Sequence, residues 1–333
     1  MVSVLSVALS DETAPDAVTA AAWFDGSVED LALAHDSLRP LMFSLAYRML
    51  GSVAEAEDVV QDAFLRMHDS IRKGTNVESP DAFATTVTSR LAIDALRSAR
   101  HRRERYVGTW LPEPLLGTAS DDPADRVELQ ETVSTAFLVL LERLTPLERA
   151  VFLLREAFGY DYADIAGVVD KSEANCRQVL ARARNRIDAE RPRFEPSSEQ
   201  QRELTEEFLA AVTDGDLAGL EKLLADDVVF YADGGGKAPA IQRPLHGATQ
   251  VARFLVGLVR RGLPLGVRLE PVIANAQPAV RLADSEGAVL GVLTLEIADG
   301  RVIAFRNQIN PDKLAHLGPV GDLLAMLADE GSD

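Results

Sequence analysis

The stretch LTPLERAVFLLREAFGYDYADIAGVVDKSEANCRQVLARARNRI, residues 144–187, decides the fold. Thr145 stands where an N-cap belongs, Pro146 takes the first helical position, and Glu148 falls where a side chain returns a bond to the cap. A helix is predicted from there. Asp161 to Val168 reads as a second, short helix, VVDK as a turn, and Ser172 as the cap of a last helix bearing Arg177, Arg182, Arg184 and Arg186. A short helix, a tight turn and a basic helix make the helix-turn-helix arrangement. A plain helical hairpin with a solvated face shares this periodicity. The crowding of arginines behind helices dominated by acids favours the first reading.

Charge supports it once counted by segment. The 333-residue chain carries a net charge of −18, which at first sight argues against a nucleic-acid partner. Residues 90–106, however, hold 6 basic and 2 acidic side chains, and residues 171–194 hold 7 and 3. Each block stands at +4 inside an acidic chain, so two electropositive faces are expected.

Upstream, LRPLMFSLAYRML and AEDVVQDAFLRM repeat apolar residues at helical spacing, with Gly51 and Ser52 as the break. A third helix is predicted from near Ser79, with Pro80 first and Asp81 in its opening turn, running through FATTVTSRLAIDALRSARHRR. WLPEPLLG, residues 110–117, then interrupts the helices, because two prolines two residues apart exclude a helix interior. Trp110, Leu111, Leu115 and Leu116 make it too apolar for a free tether, so a covering surface is expected.

After the polar hinge RPRFEPSSEQ the composition changes. Helical patterns at 200–213 and 216–224 precede the strand-like VVFYA, the loop DGGGKAPA and the helix ATQVARFLVGLVR; the β-branched runs LGVRLEPVIAN, PAVRLA, AVLGVLTLEIA and RVIAFRNQI follow, with ADGR as a hairpin turn. Helices followed by strands imply an α+β domain with a curved antiparallel sheet. GGGK is not a phosphate-binding loop, since Ala238 follows the lysine.

A hydrophobic fraction of 47% supports two or three domains with cores. No apolar run reaches the roughly 20 residues a bilayer requires, and the opening MVSVLSV lacks a basic leader, so a soluble, cytoplasmic protein without a membrane partner is expected. With one cysteine, Cys176, and scattered histidines, neither a metal nor a cofactor is expected.

AEDVVQDAFLRM, the helix ending DALRSARHRRERYVG and the helix-turn-helix ending SEANCRQVLARARNRI together resemble the extracytoplasmic-function class of sigma-70 factors. The remainder resembles a SnoaL-like, NTF2-type cone domain. WLPEPL, DGGGK at 233–237 and NPDKL at 310–314 look like the subgroup of these factors that carries such a domain as a C-terminal extension. The resemblance implies a multidomain fold, with two all-α sigma domains, the second a helix-turn-helix, followed by the α+β cone. Its divisions are a region 2 domain at 25–108, a linker at 109–124, a region 4 domain at 125–192, the cone at 198–318 and a tail at 319–333. The implied function is to bind core RNA polymerase and direct promoter-specific initiation, in the manner of stress-response factors.

The residues then receive expected roles. Glu57, Asp58, Gln61 and Asp62 present an acidic face for polymerase. Arg90, Arg97, Arg100, Arg102, Arg103 and Arg105 are placed to track phosphates at the minus-10 element, with Tyr106 the nearest aromatic for a flipped base. Phe83 stands where relatives carry tryptophan. Glu173, Asn175, Arg177 and Gln178 would read the minus-35 element, Arg through guanine and Asn or Gln through adenine, while Arg182, Arg184 and Arg186 contact phosphates. Subgroup resemblance implies an intramolecular contact of the cone with both sigma domains and the linker. It involves Trp110, Leu111, Pro112, Glu113, Pro114 and Leu115 on one side, and Asp233, Gly234, Gly235, Gly236, Lys237, Asn310, Pro311, Asp312, Lys313 and Leu314 on the other. A Lys237–Glu113 pair is expected at its centre. Two other classes compete: a DNA-binding regulator whose cone senses a small molecule, and an enzyme using Asp227, Tyr231, Asp233 and His246 for acid–base chemistry.

Overall fold

The computed structural model describes residues 28–103, 106–117, 134–188 and 198–329. The chain divides into two compact units, Met1–Arg100 with Leu141–Ala189, and His101–Leu140 with Glu190–Asp333.

In the first unit, α1 (Val28–Leu50), α2 (Val53–Arg72) and α3 (Pro80–Arg103) come from the first half of the chain. Leu31, Ala34, Leu38, Met42, Leu45 and Met49 recur every three or four residues and bury one face of α1, which packs on α2. Gly51, at φ 66°, ends α1, and Ser52 opens α2 by accepting a bond from the Glu55 amide. On α2 the buried stripe is Ala56, Val59, Val60, Ala63, Met67 and Ile71. Then come α5 (Pro146–Glu156), α6 (Tyr162–Val169) and α7 (Glu173–Asp188). Thr145 and Glu148 close a full capping box at the start of α5. Asp161 caps α6, and Asp170, at φ 53°, turns the chain toward α7. Ile165, Val168, Cys176, Val179, Leu180, Ala183 and Ile187 are buried with α5 as the three-helix core of the helix-turn-helix.

The second unit holds α4 (Thr135–Leu141, at its edge), α8 (Ser198–Asp214), α9 (Leu217–Leu223), α10 (Ala248–Gly262), α11 (Pro311–Leu314) and α12 (Leu323–Asp329). Its strands are β1 (Leu116–Gly117), β2 (Leu224–Asp233), β3 (Leu245–His246), β4 (Arg268–Ala274), β5 (Gln277–Ala283), β6 (Val289–Ala298) and β7 (Arg301–Gln308). They form a seven-stranded sheet in the order β1-β4-β5-β6-β7-β2-β3. The sheet is antiparallel except where β2 runs parallel to β7, which departs from the expected all-antiparallel pattern. Four strands and α10 intervene between these partners, and such a crossover permits parallel pairing. The Asn275–Ala276 and Asp299–Gly300 turns both have positive φ at their central residues, the conformation that tight hairpins favour. Phe208, Phe230 and Phe305 interlock at the main core between α8, α10 and the sheet. A smaller cluster of Ala274, Ala279, Val289, Val292 and Leu314 also receives Leu116 of the linker. No helix among the described residues is long and apolar enough to cross a membrane.

Candidate functional site

The linker WLPEPLLG does find a seat. Leu111, Pro112, Glu113 and Pro114 are buried, Trp110 is half-buried, and Leu116–Gly117 add a strand to the sheet by pairing with β4. At the seat's centre lies Asp233, the last residue of β2, with no exposed surface. Its Oδ1 accepts from the Tyr106 hydroxyl at 2.5 Å and the Gly235 amide at 3.1 Å. Its Oδ2 accepts from the Leu111 amide at 2.8 Å and the Lys313 ammonium at 2.7 Å.

Lys313 is buried because Asn310 caps the turn α11, which packs against β6 and brings the ammonium to Asp233 at the end of β2. Its Nζ also donates to the Leu111 carbonyl at 2.6 Å and lies over the rings of Trp110, at 4.2 Å, and Tyr106, at 4.8 Å. A desolvated cation is thus matched by a carboxylate, a carbonyl and two aromatic faces, the combination that offsets the cost of burying charge. Burial, and then the bonded Asp233 carboxylate and its charge, push the Tyr106 phenol well above its usual range, although the Asn310 amide opposes this.

The expected Lys237–Glu113 pair is not formed. Lys237 Nζ instead holds Asp312 at 2.6 Å, with both side chains more than half exposed. Glu113 lies buried with its carboxylate 4.0 Å from His316 Nδ1, while His316 Nε2 sits 2.8 Å from the Pro114 carbonyl. The glycine loop serves close approach rather than charge: a Cβ at Gly235 would lie 2.2 Å from Asn310 Nδ2, which donates to the Tyr106 oxygen at 2.8 Å. Three seat residues escape sequence reasoning. Gln308 donates to the Leu111 and Pro112 carbonyls, Asn275 accepts from the Leu115 amide, and Gln277 accepts from the Thr135 amide. Their one signal is polarity inside apolar strand and hairpin patterns.

The seat engages the carboxylate that acid–base chemistry would need. Asp227 and His246 are exposed, and Tyr231 is stacked by Arg306 at 5.0 Å.

In the first unit, Glu173, Asn175, Arg177 and Gln178 lie exposed on the first turns of α7. Arg177 bonds Glu173 at 2.7 Å and covers the Tyr162 ring at 4.7 Å. Further along, Arg186 and Arg182 flank the buried Glu148, at 2.5 and 3.8 Å, and Arg184 meets Glu156 at 2.5 Å. Cys176 is buried within α7, where desolvation raises its thiol above its usual range. On α2, Asp58, Gln61 and Asp62 face solvent, while Glu57 is held by Arg39 at 2.6 Å. Arg97 pairs with Asp94 on α3 at 3.1 Å. Arg90 is engaged by backbone, donating to the Val168 and Gly167 carbonyls at 3.0 and 2.8 Å. The side chains of Arg100, Arg102 and Arg103, and all of Arg105, lie outside the described residues. Tyr106, expected near a flipped base, sits in the linker seat instead.

A helical pair ending in a helix-turn-helix, joined to a sheet domain that grips the intervening linker, defines a sigma-70 protein with a built-in extension. Residues 35–102 match the family description "Sigma-70 region 2", residues 134–187 "Sigma-70, region 4" and residues 205–307 "SnoaL-like domain". The chain belongs to the extracytoplasmic-function sigma factor family. It is 38% identical over 287 residues to "ECF RNA polymerase sigma factor SigJ" of Mycobacterium tuberculosis, covering 84% of this chain and 91% of that one. "Probable ECF RNA polymerase sigma factor SigI" of the same species is 34% identical, covering 83% and 92%. The crystal structure of the Mycobacterium tuberculosis SigJ protein superposes with a TM-score of 0.68 at 34% identity, over 85% of this chain and 98% of that one.

Proposed function

We propose that this sigma factor binds core RNA polymerase, directs initiation at promoters with two recognition elements, and is controlled in cis by its extension, which grips the linker. The observation that carries the control is the buried Asp233–Lys313 pair closed around the Leu111 backbone. Seating 106–117 fixes the path of the chain between the two DNA-reading domains, and so sets the separation they reach.

Asp58, Gln61 and Asp62 form the polymerase-facing surface, with Glu57 steadied by Arg39. Glu173, Asn175, Arg177 and Gln178 read minus-35 bases, while Arg182, Arg184 and Arg186 contact phosphates after exchanging their glutamate partners. Arg90, Arg97, Arg100, Arg102, Arg103 and Arg105 follow the minus-10 strand. The extension is non-catalytic and acts in the cytoplasm with the polymerase; Asp233 bonded to linker donors supports this over isomerase-like chemistry.

Run-off transcription with purified core enzyme tests the proposal, comparing the full chain, a Lys313→Met variant and a chain ending near residue 194. Initiation that changes in the variant and the truncation in the same direction is the expected result. Duplex binding without polymerase, and no initiation from any version, would instead favour a ligand-sensing regulator.

A further inference from the structure

Helix C-termini leave their last carbonyls without intrahelical partners, and a cation placed there satisfies them and complements the helix dipole. In the first unit, two arginines do this for each other's domain. Arg149, on α5 of region 4, donates through Nη1 to the Met49 carbonyl in the last turn of α1, at 2.6 Å. Arg90, on α3 of region 2, donates to the Gly167 and Val168 carbonyls in the last turn of α6, at 2.8 and 3.0 Å. Between them the Tyr160 hydroxyl donates to Thr85 Oγ1 on α3 at 2.7 Å.

We infer that Arg90 and Arg149 form a reciprocal latch holding the two promoter-reading domains against one another, and that promoter phosphates compete with the α6 carbonyls for Arg90. The inference rests on the sigma-factor reading. Elements named for positions minus 10 and minus 35 lie about 25 base pairs apart, roughly 85 Å along a B-form duplex at about 3.4 Å per pair. A chain whose α3 is hydrogen-bonded to α6 cannot place one helix at each.

The chemistry of the latch suits reversible opening. Arg149 is buried but keeps a counter-charge in its own domain, Glu142 at 2.8 Å. Parting the domains leaves that ion pair intact. The acceptors lost are neutral carbonyls, which water can satisfy at modest cost. Arg90 is exposed at its guanidinium, so a phosphate can reach it without prior unfolding. Its release converts a cap for region 4 into a cation for nucleic acid.

The test uses the full chain with donor and acceptor dyes on cysteines replacing Asp69 and Ala181, in a Cys176→Ala background. Single-molecule energy transfer then reports the open population. Tyr160→Phe and Thr85→Val, which remove one neutral bond and touch no DNA-facing group, are expected to raise the open fraction about fivefold each. Arg90→Gln is expected to raise it about tenfold or more, because a charged donor to two carbonyls is lost. Arg149 is left in place, since it also bonds Glu142 within region 4 and its removal would disturb that domain. An unchanged open fraction in all three variants overturns the latch. Added promoter duplex with core enzyme should open the parent chain while Arg90→Gln shows a shallower salt dependence; an unaltered slope overturns the competition for Arg90. Failure of the parent chain to initiate transcription would remove the sigma reading while leaving the open-fraction result standing on its own.

Discussion

At the linker seat, a side-chain carboxylate and a side-chain ammonium meet buried from solvent, whereas at the junction of the sigma domains two guanidiniums meet main-chain carbonyls. The difference is one of reversibility. Removing either member of the Asp233–Lys313 pair leaves a buried charge without its partner, so the seat resists loosening by parts. At the junction Arg90 and Arg149 give up neutral carbonyls, which water can replace one bond at a time. A controlled factor of this design has one lock that is hard to release and one that yields to a competing anion.

The largest expected effect follows from breaking the hard lock. Lys313→Met should weaken linker docking by about 3–5 kcal/mol, read as lost hydrogen-exchange protection at the Leu111 amide and a lower denaturation midpoint. A loss below about 1 kcal/mol would erase the contrast between the two junctions.

Alkaline pH is the next lever. A free phenol ionises near pH 10, and the seat holds Tyr106 neutral well beyond that. Above about pH 10 the unfolded chain therefore binds fewer protons than the folded one, and stability falls as pH rises. The seat's contribution is fully present below that pH. In Tyr106→Phe, the part of the alkaline drop in linker protection caused by this group should disappear; an identical profile would show that Tyr106 is not a controlling group.

Glu148→Gln sharpens the comparison from the DNA side. Glutamine can still close the capping box, so stability should change by less than about 1 kcal/mol. Freed of the carboxylate, Arg182 and Arg186 should bind non-specific duplex a few-fold more tightly at low salt, with the gain vanishing as salt rises. Smallest of all, Lys237→Ala should alter stability by no more than about 0.5 kcal/mol, because its pair with Asp312 is exposed.

The two lysines also mark where the sequence stops being legible. Helix starts were readable because caps are local: Thr145, Asp161 and Ser172 each accept a bond from an amide three residues on. The strands were readable from their β-branched alternation. Lys237 beside three glycines is the lysine expected to pair with Glu113, while Lys313 is expected at the contact only as one residue of NPDKL; the turn α11, packed on β6, is what buries Lys313 against Asp233. Arg90 was legible as a cation near nucleic acid but not as a cap, because its acceptors are carbonyls, which every residue possesses. The parallel pairing of β2 with β7 has no local signature either, being a consequence of how the chain crosses over.

Leu116 and Gly117 do more than complete the seat. As β1 they lie along β4, at the end of the sheet, opposite Ala274 and the half-exposed Ile273. An unpaired strand there would offer its amides and carbonyls to any extended chain, including another copy of this one. The linker therefore acts as a selvedge, finishing a border that would otherwise fray into self-association. A change that unseated the linker would uncover that border, and with it a route to self-association that the seated linker closes.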